Sequence, residues 1–256
     1  MRISRTDSSD SGIVARLIRV MDRLADSPAF EGLSATELSR LTGLAVPTVH
    51  RLLLQLAQGG LTYQHPHTKR WYLGLRTAAY GQAALQHFPF VRLAQPILYD
   101  VVATTRETAV FTLRDGDYGI YAAIVESPEK LRLTETIGMR LPLTVGASRR
   151  VILAFLPPNE QSAIIARICA NDPSLSVAAL KSECQRIAQE GYAVSFGEVT
   201  PHTVGVTVPV RSNQNTFGSL MLAGPDTRVT SDKISDLVTK LKHAAQRFET
   251  AASPDL

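Results

Sequence analysis

Three polar side chains with helical spacing stand out for the chemistry that they could do together. Thr48, Arg51 and Gln55 follow one another at intervals of three and four residues, so a helix would carry them on one face. A guanidinium can donate two hydrogen bonds to a guanine edge, and hydroxyl and amide groups can contact bases or phosphates. We expect these residues, with His50 beside them, to contact DNA. Arg51 could reach a base edge or a phosphate, or lie in solvent.

Such a face can contact DNA only if a preceding helix and a tight turn position the helix that carries it. Ser34 and Glu37 form a capping box for a first helix, Gly43 suits the turn, and Pro47 suits the start of a second helix. The second helix repeats apolar residues at i, i+3, i+4 and i+7, namely Val49, Leu52, Leu53 and Leu56. This layout predicts a helix-turn-helix whose second helix is the recognition helix.

A strand–turn–strand pattern follows the second helix directly. Gly59 and Gly60 end the helix, and residues 61–74 read as two short strands around a turn at 65–68. The hairpin tip carries His67, Lys69 and Arg70. We interpret the hairpin as the wing of a winged helix and its basic residues as phosphate contacts.

The excess positive charge lies in the same part of the chain. Residues 1–90 contain ten Lys or Arg and six Asp or Glu, which accounts for the whole net charge of +4. Residues 91–256 contain 17 of each sign. A basic smaller domain joined to a neutral larger one is typical of nucleic-acid binding by the first part only, although +4 on 90 residues could also arise by chance.

Composition excludes several other classes of protein. Two cysteines, Cys169 and Cys184, are too few for a disulfide scaffold or a four-cysteine zinc site, and both are expected to be buried thiols. No apolar run reaches the ~18 residues of a membrane span, and the first ten residues lack the apolar core of a signal peptide. We expect a cytoplasmic protein with no membrane partner, no metal and no cofactor.

The remaining pattern predicts an α+β protein built around an antiparallel sheet. Residues 13–25 form an amphipathic helix, with inward positions at Ile13, Val14, Leu17, Val20, Met21 and Leu24. Further helices are expected at 75–87, 90–105, 148–156, 159–169, 176–190 and 231–249. Strands are expected at 108–114, 118–126, 131–137, 192–196, 204–210 and 216–223.

The order of these parts resembles the IclR family of bacterial transcriptional regulators. Matching stretches include TVHRLL (48–53), RWYLGLR (70–76), VESP (125–128), IGMRLPL (137–143), ILAFLP (152–157), GYAV (191–194), VPVR (208–211) and AGP (223–225). Each stretch alone is weak, but together in this order they are specific.

The resemblance implies a domain organisation and partners. It implies a disordered N-terminus at 1–12, a winged helix-turn-helix at 13–75 and a linker helix at 76–89. It also implies a GAF-like effector-binding and oligomerisation domain at 90–250. Members work as dimers or tetramers and respond to small metabolites. We therefore expect double-stranded operator DNA, a small-molecule effector and a second copy of this chain as partners.

The resemblance also places an effector site. Residues Gly146, Ala147 and Ser148 match the loop and helix start that close the pocket, where backbone N–H groups favour an anion. The other contact positions fall on Ser195, Gly205, Met221 and Ala223, where the family usually has an acid, a thiol and two serines. The loss of polar groups favours a larger, partly apolar or aromatic acid over a two- or three-carbon keto acid.

Two features leave alternatives open. Arg149 and Arg150 replace the usual small residue and lysine, and they could hold a carboxylate or lie in solvent. His202, Glu198 and Asp115 could suggest catalysis or a metal, although their spacing matches no known motif, and Glu198 could instead orient the pocket loop. The sequence predicts a ligand-responsive repressor or activator of a catabolic operon. An enzyme acting on a small acid and a pure interaction module are the alternatives.

Overall fold

Two compact units make up the chain, Met1–His87 and Phe88–Leu256. The structure, a computed structural model, describes residues 12–27, 31–212 and 215–252. All but the last residue of the N-terminus predicted to be disordered, 1–12, lies outside the described residues.

Helices and a small hairpin form the N-terminal unit. Its elements are α1 (Ile13–Ala25), α2 (Ala35–Thr42), α3 (Val46–Gln58), β1 (Thr62–Gln64), β2 (Trp71–Leu73) and α4 (Leu75–His87). Strands β1 and β2 pair antiparallel, and Leu33 adds a single bridge to Trp71. The core consists of Val20, Leu24, Leu38, Val49, Leu52, Leu53 and Trp71. The predicted winged helix-turn-helix is confirmed.

The prediction that α1 buries its whole apolar face is wrong. Val20 and Leu24 are buried, but Ile13 and Val14 are 60% and 64% exposed. Periodicity identifies the apolar face of a helix, whereas burial also needs a partner along its whole length. Within this unit the core reaches α1 only from Leu17 onwards. Helix α4 has no buried residue at all.

The C-terminal unit contains five helices, a short 3₁₀ turn and a six-stranded sheet among its described residues. The helices are α5 (Pro89–Thr105), α6 (Ala147–Ala154), α7 (Pro158–Asn171), α8 (Val177–Glu190) and α9 (Ile234–Ala252), with the 3₁₀ turn at Ser231–Lys233. The strands are β3 (Thr108–Asp115), β4 (Tyr118–Val125), β5 (Arg140–Pro142), β6 (Ala193–Phe196), β7 (Thr203–Ser212) and β8 (Asn215–Pro225). Their order is β5-β4-β3-β8-β7-β6, with antiparallel pairing throughout. This arrangement confirms the predicted α+β class.

The two faces of this sheet have different coverings. On one face, Phe111 and Phe217 pack against Phe248 of α9, and the Phe217 ring stacks on Phe90 of α5 with ring centres 4.1 Å apart. On the other face, the Ser219 hydroxyl donates to the Ser148 carbonyl of α6 at 2.7 Å. Because successive strand residues alternate between faces, the residues that point to the α6 side can line a site there.

Helices α6, α7 and α8 share a core of their own. Cys184 is buried in it, and Cys169 is half-buried against it. Burial raises the pKa of the Cys184 thiol to about 11. The thiol is therefore protonated near neutral pH, as expected of a cysteine that packs in a core.

The predicted strand at 131–137 does not form. The backbone of this segment instead makes isolated hydrogen bonds, with the Leu133 carbonyl accepting from the Thr108 hydroxyl at 2.8 Å. Gly138 and Met139 then bond to the backbone of Tyr121, just before the short strand β5. The alternation of Leu and charged residues predicted a strand, but tertiary contacts hold the segment in an irregular conformation beside the sheet.

Candidate functional site

The turn between α2 and α3 is built by local hydrogen bonds. The Ser34 hydroxyl accepts the Glu37 N–H at 3.2 Å, and the Glu37 carboxylate accepts the Ser34 N–H at 2.7 Å. Gly43 ends α2 with φ of 70°, a conformation that costs glycine little. Helix α3 then begins at Val46, so Pro47 is its second residue and not its first. These contacts confirm the predicted capping box and fix the direction of α3.

Helix α3 divides its residues between the core and solvent as predicted. Val49, Leu52, Leu53 and Leu56 are buried. His50, Arg51 and Gln55 are exposed, and Thr48 is half-buried. Leu54 lies among them and is 45% exposed. The exposed face therefore offers a guanidinium, an imidazole, an amide and an apolar side chain to a partner.

The wing holds its tip in shape with a histidine. Nδ1 of His65 accepts the N–H groups of His67 and Thr68 at 3.3 and 3.2 Å, which closes the turn. Lys69 takes a positive φ of 57° at the end of this turn. The side chains of His67 and Lys69 are exposed. Both are placed where a phosphate could reach them.

Arg70 has a different environment from the one predicted. Its Nε donates to the Glu31 carbonyl at 2.7 Å, and one Nη donates to the Gly32 carbonyl and the Glu37 carboxylate, each at 3.1 Å. The side chain thus ties the wing to the start of α2. The prediction of Arg70 as a phosphate contact neglected this partner, because the distance between residues 37 and 70 is a matter of tertiary structure.

A narrow cleft lies on the α6 side of the large sheet. All seven predicted effector residues line it, namely Gly146, Ala147, Ser148, Ser195, Gly205, Met221 and Ala223. The cleft and its mouth contain about 340 Å³ of empty space. Its walls come so close together that the interior has room for about one water-sized molecule. A larger ligand would have to move the walls apart.

Seven further lining residues were not among the predicted effector contacts, although Glu198 was expected to orient the pocket loop. They are Tyr121, Leu133, Glu135, Glu198, Val199, Thr200 and Thr203. Tyr121 pairs with Thr112 in the sheet, and no local signal sets it apart from the other residues of β4. Leu133 and Glu135 lie in the segment predicted to be a strand. Only the path of the chain brings these residues to the cleft.

A carboxylate already occupies part of the predicted anion site. The Glu198 carboxylate accepts the Gly146 N–H at 3.1 Å, and two nitrogens of Arg150 donate to it at 2.7 and 2.5 Å. The expectation that Glu198 orients the pocket loop agrees with these contacts. The first bond of the α6 ladder runs from the Arg150 N–H to the Gly146 carbonyl, so the helix itself does not use the Ala147 and Ser148 N–H groups.

Arg149 is not in solvent. Its side chain is fully buried, with the guanidinium carbon 4.4 Å from the centre of the Tyr121 ring. Arg150 is also largely covered, since its side chain is only 16% exposed. Burial raises the pKa of the Glu135 carboxyl, and the positive charge of Arg149 opposes that rise. The solvent alternative for these two arginines is therefore wrong.

The residues considered for catalysis do not come together. His202 is 90% exposed and lies 3.6 Å from Asp226, whereas Asp115 pairs with Arg140. Within the described part of the chain, no group of three or more His, Cys, Asp or Glu could hold a metal ion. None of the helices described is long and apolar enough to cross a membrane.

Comparison with known families gives two matches that divide the chain between them. Residues 13–66 match the IclR helix-turn-helix domain, and residues 82–250 match the model for the bacterial transcriptional regulator IclR C-terminal domain. The first match contains α3 and the first strand of the wing. The second contains the whole cleft.

Individual relatives agree with these matches. The HTH-type transcriptional regulator KipR of Bacillus subtilis is 29% identical over 222 residues, which cover 83% of this chain and 87% of KipR. A crystal structure of an IclR family transcriptional regulator from Brucella abortus has a TM-score of 0.82 at 23% identity, covering 93% of this chain and 92% of that chain.

A second solved structure contains a ligand. It is an IclR homolog from Microbacterium hydrocarbonoxydans complexed with 4-hydroxybenzoate. Its TM-score is 0.68 at 20% identity, and the match covers 93% of this chain and 98% of that chain. At this identity the likeness shows the fold alone.

Proposed function

The chain belongs to the IclR family of bacterial transcriptional regulators. We propose that an organic acid bound in the cleft controls the affinity of the protein for operator DNA. One observation carries this proposal. The seven residues expected to form an effector site, which come from four separate stretches of sequence, line a single cleft. Binding of an effector there would shift the population between DNA-competent and incompetent arrangements. Since its target is DNA, we place the protein in the cytoplasm.

The DNA interface that we propose has two parts. Arg51, His50, Thr48 and Gln55 on α3 would enter the major groove, which admits a helix. His67 and Lys69 on the wing would contact phosphates. We leave Arg70 out of this interface, because its guanidinium is engaged by Glu37 and by two backbone carbonyls.

The effector that we propose is an organic acid with an apolar body, such as an aromatic ring. Met221, Ala223 and Gly205 give the cleft an apolar floor. Backbone N–H groups at the start of α6 would meet the carboxylate. The 4-hydroxybenzoate held by the homolog from Microbacterium hydrocarbonoxydans is an acid of this class, which supports the proposal.

We propose that the cleft binds its effector without converting it. The named relatives are transcriptional regulators, and the histidine considered for catalysis is exposed and outside the cleft lining. Incubation with each acid that binds, followed by mass spectrometry, tests this point. Conversion of any of them at a rate set by protein concentration would favour the enzyme alternative.

The central experiment couples the two sites. Sheared DNA from the source organism is selected on the full-length protein, the bound fragments are sequenced, and a footprint defines the operator. Keto acids and aromatic acids are then added to the protein–operator complex. We expect at least one aromatic acid to change operator affinity, and glyoxylate and pyruvate to have no effect. A response to pyruvate or glyoxylate alone would contradict the assignment of effector class.

A further inference from the structure

The least satisfied buried charge in the described part of the chain belongs to Arg149. The side chain is 0% exposed. Its Nε reaches the Gly119 carbonyl at a long 3.3 Å, and one Nη reaches the Tyr121 hydroxyl at 3.5 Å. The other Nη has no hydrogen-bond partner, and no described carboxylate lies at ion-pair distance. A buried guanidinium without an ion-pair partner is costly, so its presence calls for an explanation.

The neighbours of this guanidinium all belong to the cleft. The Tyr121 ring lies against it, and a Cβ atom added to Gly146 would lie 3.6 Å from one of its terminal nitrogens. Glu135 is near enough for the charge of Arg149 to act on its carboxyl. Tyr121, Gly146 and Glu135 each line the cleft. The guanidinium therefore lies directly behind the cleft wall, beside the start of α6.

We propose that the Arg149 guanidinium is the counter-charge for the effector's carboxylate and that the site accepts only monocarboxylates with an uncharged body. This inference rests on the proposed function, because it takes the cleft to be the effector site. Arg149 lies behind the wall beside the start of α6, which carries the Ala147 and Ser148 N–H groups, so one carboxylate could meet both. Movement of the Tyr121 ring would open the short path between the Arg149 guanidinium and the cleft.

The other charges around the cleft explain the restriction to one carboxylate. Arg150 is already neutralised by Glu198, with both terminal nitrogens bound to its two oxygens. Of these two neighbouring arginines, Arg149 is thus the one left for a ligand. A second carboxylate on the ligand would face Glu135 or Glu198, both in the lining. Repulsion by either would oppose binding of a dicarboxylate.

If Arg149 serves to bind a ligand, its replacement should not lower the stability of the ligand-free protein. If Arg149 is a structural residue, its replacement should lower that stability. Replacement of an unpaired buried charge by an apolar side chain of similar length should leave the ligand-free protein as stable or more stable. Arg149→Met is that replacement. Arg228→Met is the matched control, because Arg228 pairs with the buried Glu107 at 2.6 Å, and its loss should lower the melting temperature.

The binding test uses defined probes on the full-length protein. Benzoate, phenylacetate and 4-hydroxybenzoate are compared with their primary amides and with the dianion terephthalate, by thermal shift and then by titration. We expect at least one acid, but not its amide or terephthalate, to stabilise the wild type. Arg149→Met should bind that acid about ten- to hundred-fold more weakly, the usual effect of losing a charged hydrogen bond. Arg149→Lys, which keeps the charge, should retain the preference for the acid over its amide.

Each other outcome overturns a defined part of the proposal. Equal stabilisation of the wild type and Arg149→Met by an acid would remove Arg149 from the site and leave the proposed function intact. A melting temperature that falls in Arg149→Met as far as in Arg228→Met would make Arg149 a structural residue. Terephthalate binding as tight as benzoate binding would overturn the restriction to monocarboxylates. Stabilisation by amides alone, or by no probe, would overturn this inference together with the proposed effector class.

Discussion

At the scale of single residues, the same side-chain type has opposite roles according to what lies around it. Arg51 and Arg70 are both basic residues of the winged helix. Arg51 is exposed on α3, whereas Arg70 is bound to Glu37 and to backbone carbonyls. In the C-terminal unit, Arg150 is paired and its neighbour Arg149 is not. Residue type shows what chemistry is available, and the neighbours decide whether it is already used.

Arg51→Ala tests the recognition face of α3. If Arg51 donates two hydrogen bonds to a guanine, its loss should cost about 1–3 kcal/mol of operator binding and relax specificity at one base pair. Fluorescence anisotropy with the footprinted operator and with single-base variants measures both effects. Arg186→Ala is the control with the same change of charge, since Arg186 pairs with Glu183 and Glu190 on the surface of the other unit. Wild-type affinity in Arg51→Ala would remove this residue from the interface.

Ala223→Leu tests the apolar floor of the cleft. Ala223 is 2% exposed and packs with Met221 and Tyr121, so a larger side chain should fill the space into which the ligand would bind. We expect weaker effector binding with unchanged operator affinity, and a stability loss of about 1–3 kcal/mol from overpacking. Isothermal titration with the acid found above, beside a melting curve, separates the two effects. Ala178→Leu at an exposed position of α8 should change neither, and an undiminished ligand response in Ala223→Leu would place the ligand elsewhere.

At the scale of elements, short contacts join pieces that are far apart in sequence. The wing is tied to α2 through Arg70 and Glu37, and the loop after β6 is tied to α6 through Glu198 and Arg150. Both contacts are salt bridges between an arginine and a glutamate that lie on different segments of the chain. The orientation of each element therefore depends on a long-range contact that local sequence preferences do not predict.

The contacts of the Glu37 carboxylate, first with Ser34 and then with Arg70, should depend on pH. The Ser34 N–H and the Arg70 guanidinium lower the pKa of the Glu37 carboxyl to about 2. Since the folded-state pKa is depressed, the stabilisation is present above the unfolded-state value and is lost as pH falls from about 5 towards 2. Because Glu37 is 38% exposed, solvent screening limits the effect to about 1 kcal/mol or less. Chemical unfolding of wild type and Glu37→Gln from pH 7 to pH 3 should show the wild-type advantage shrinking with acidity; a constant difference would contradict a stabilising role for the ionised carboxylate.

The wing itself should bind phosphate without reading sequence. Lys69→Asn removes the charge while suiting the positive φ of 57°, which asparagine tolerates better than alanine. We expect operator and unrelated DNA to lose affinity by the same factor, and the slope of log affinity against log salt to fall by about one. Salt titrations of both DNAs provide the measurement. A loss confined to one base position would show that Lys69 reads a base.

At the scale of the whole molecule, apolar surface in the N-terminal unit lacks a partner within that unit. Ile13, Val14 and Ile18 on α1 are exposed, as are Leu75 and Tyr80 on α4. Surface of this kind on two helices of one small unit is typical of an association face. We propose that the protein is a homodimer or a dimer of dimers, which would match the two-fold symmetry of an operator.

Light scattering measures the oligomeric state of the protein directly. We expect a mass of two or four times the chain mass of 27.9 kDa at micromolar concentration. Leu75→Glu, at a side chain that is 92% exposed, should lower the mass and weaken operator binding together, because a charge would then enter the association face. Leu131→Glu, a comparably exposed leucine of the other unit, serves as control. A monomer that binds its operator fully would contradict the proposal.

The sequence by itself determined the helix-turn-helix, the wing and the α+β character of the rest. These depend on local signals, namely the capping box at Ser34, the turn glycine at 43 and the apolar repeat of α3, and all three agree with the structure. Resemblance to a family supplied the seven cleft residues, whose common location is visible only in the fold. Their role as effector contacts stays a prediction.

Only the tertiary structure decided how the charges are shared. The exposure of Ile13 and Val14, the missing strand at 131–137, the engagement of Arg70 and the burial of Arg149 all depend on residues distant in sequence. Periodicity reports which side of an element is apolar, and residue type reports which charge a side chain carries. Whether a partner covers that side or neutralises that charge depends on the path of the chain, because burial and Coulomb interactions act through space.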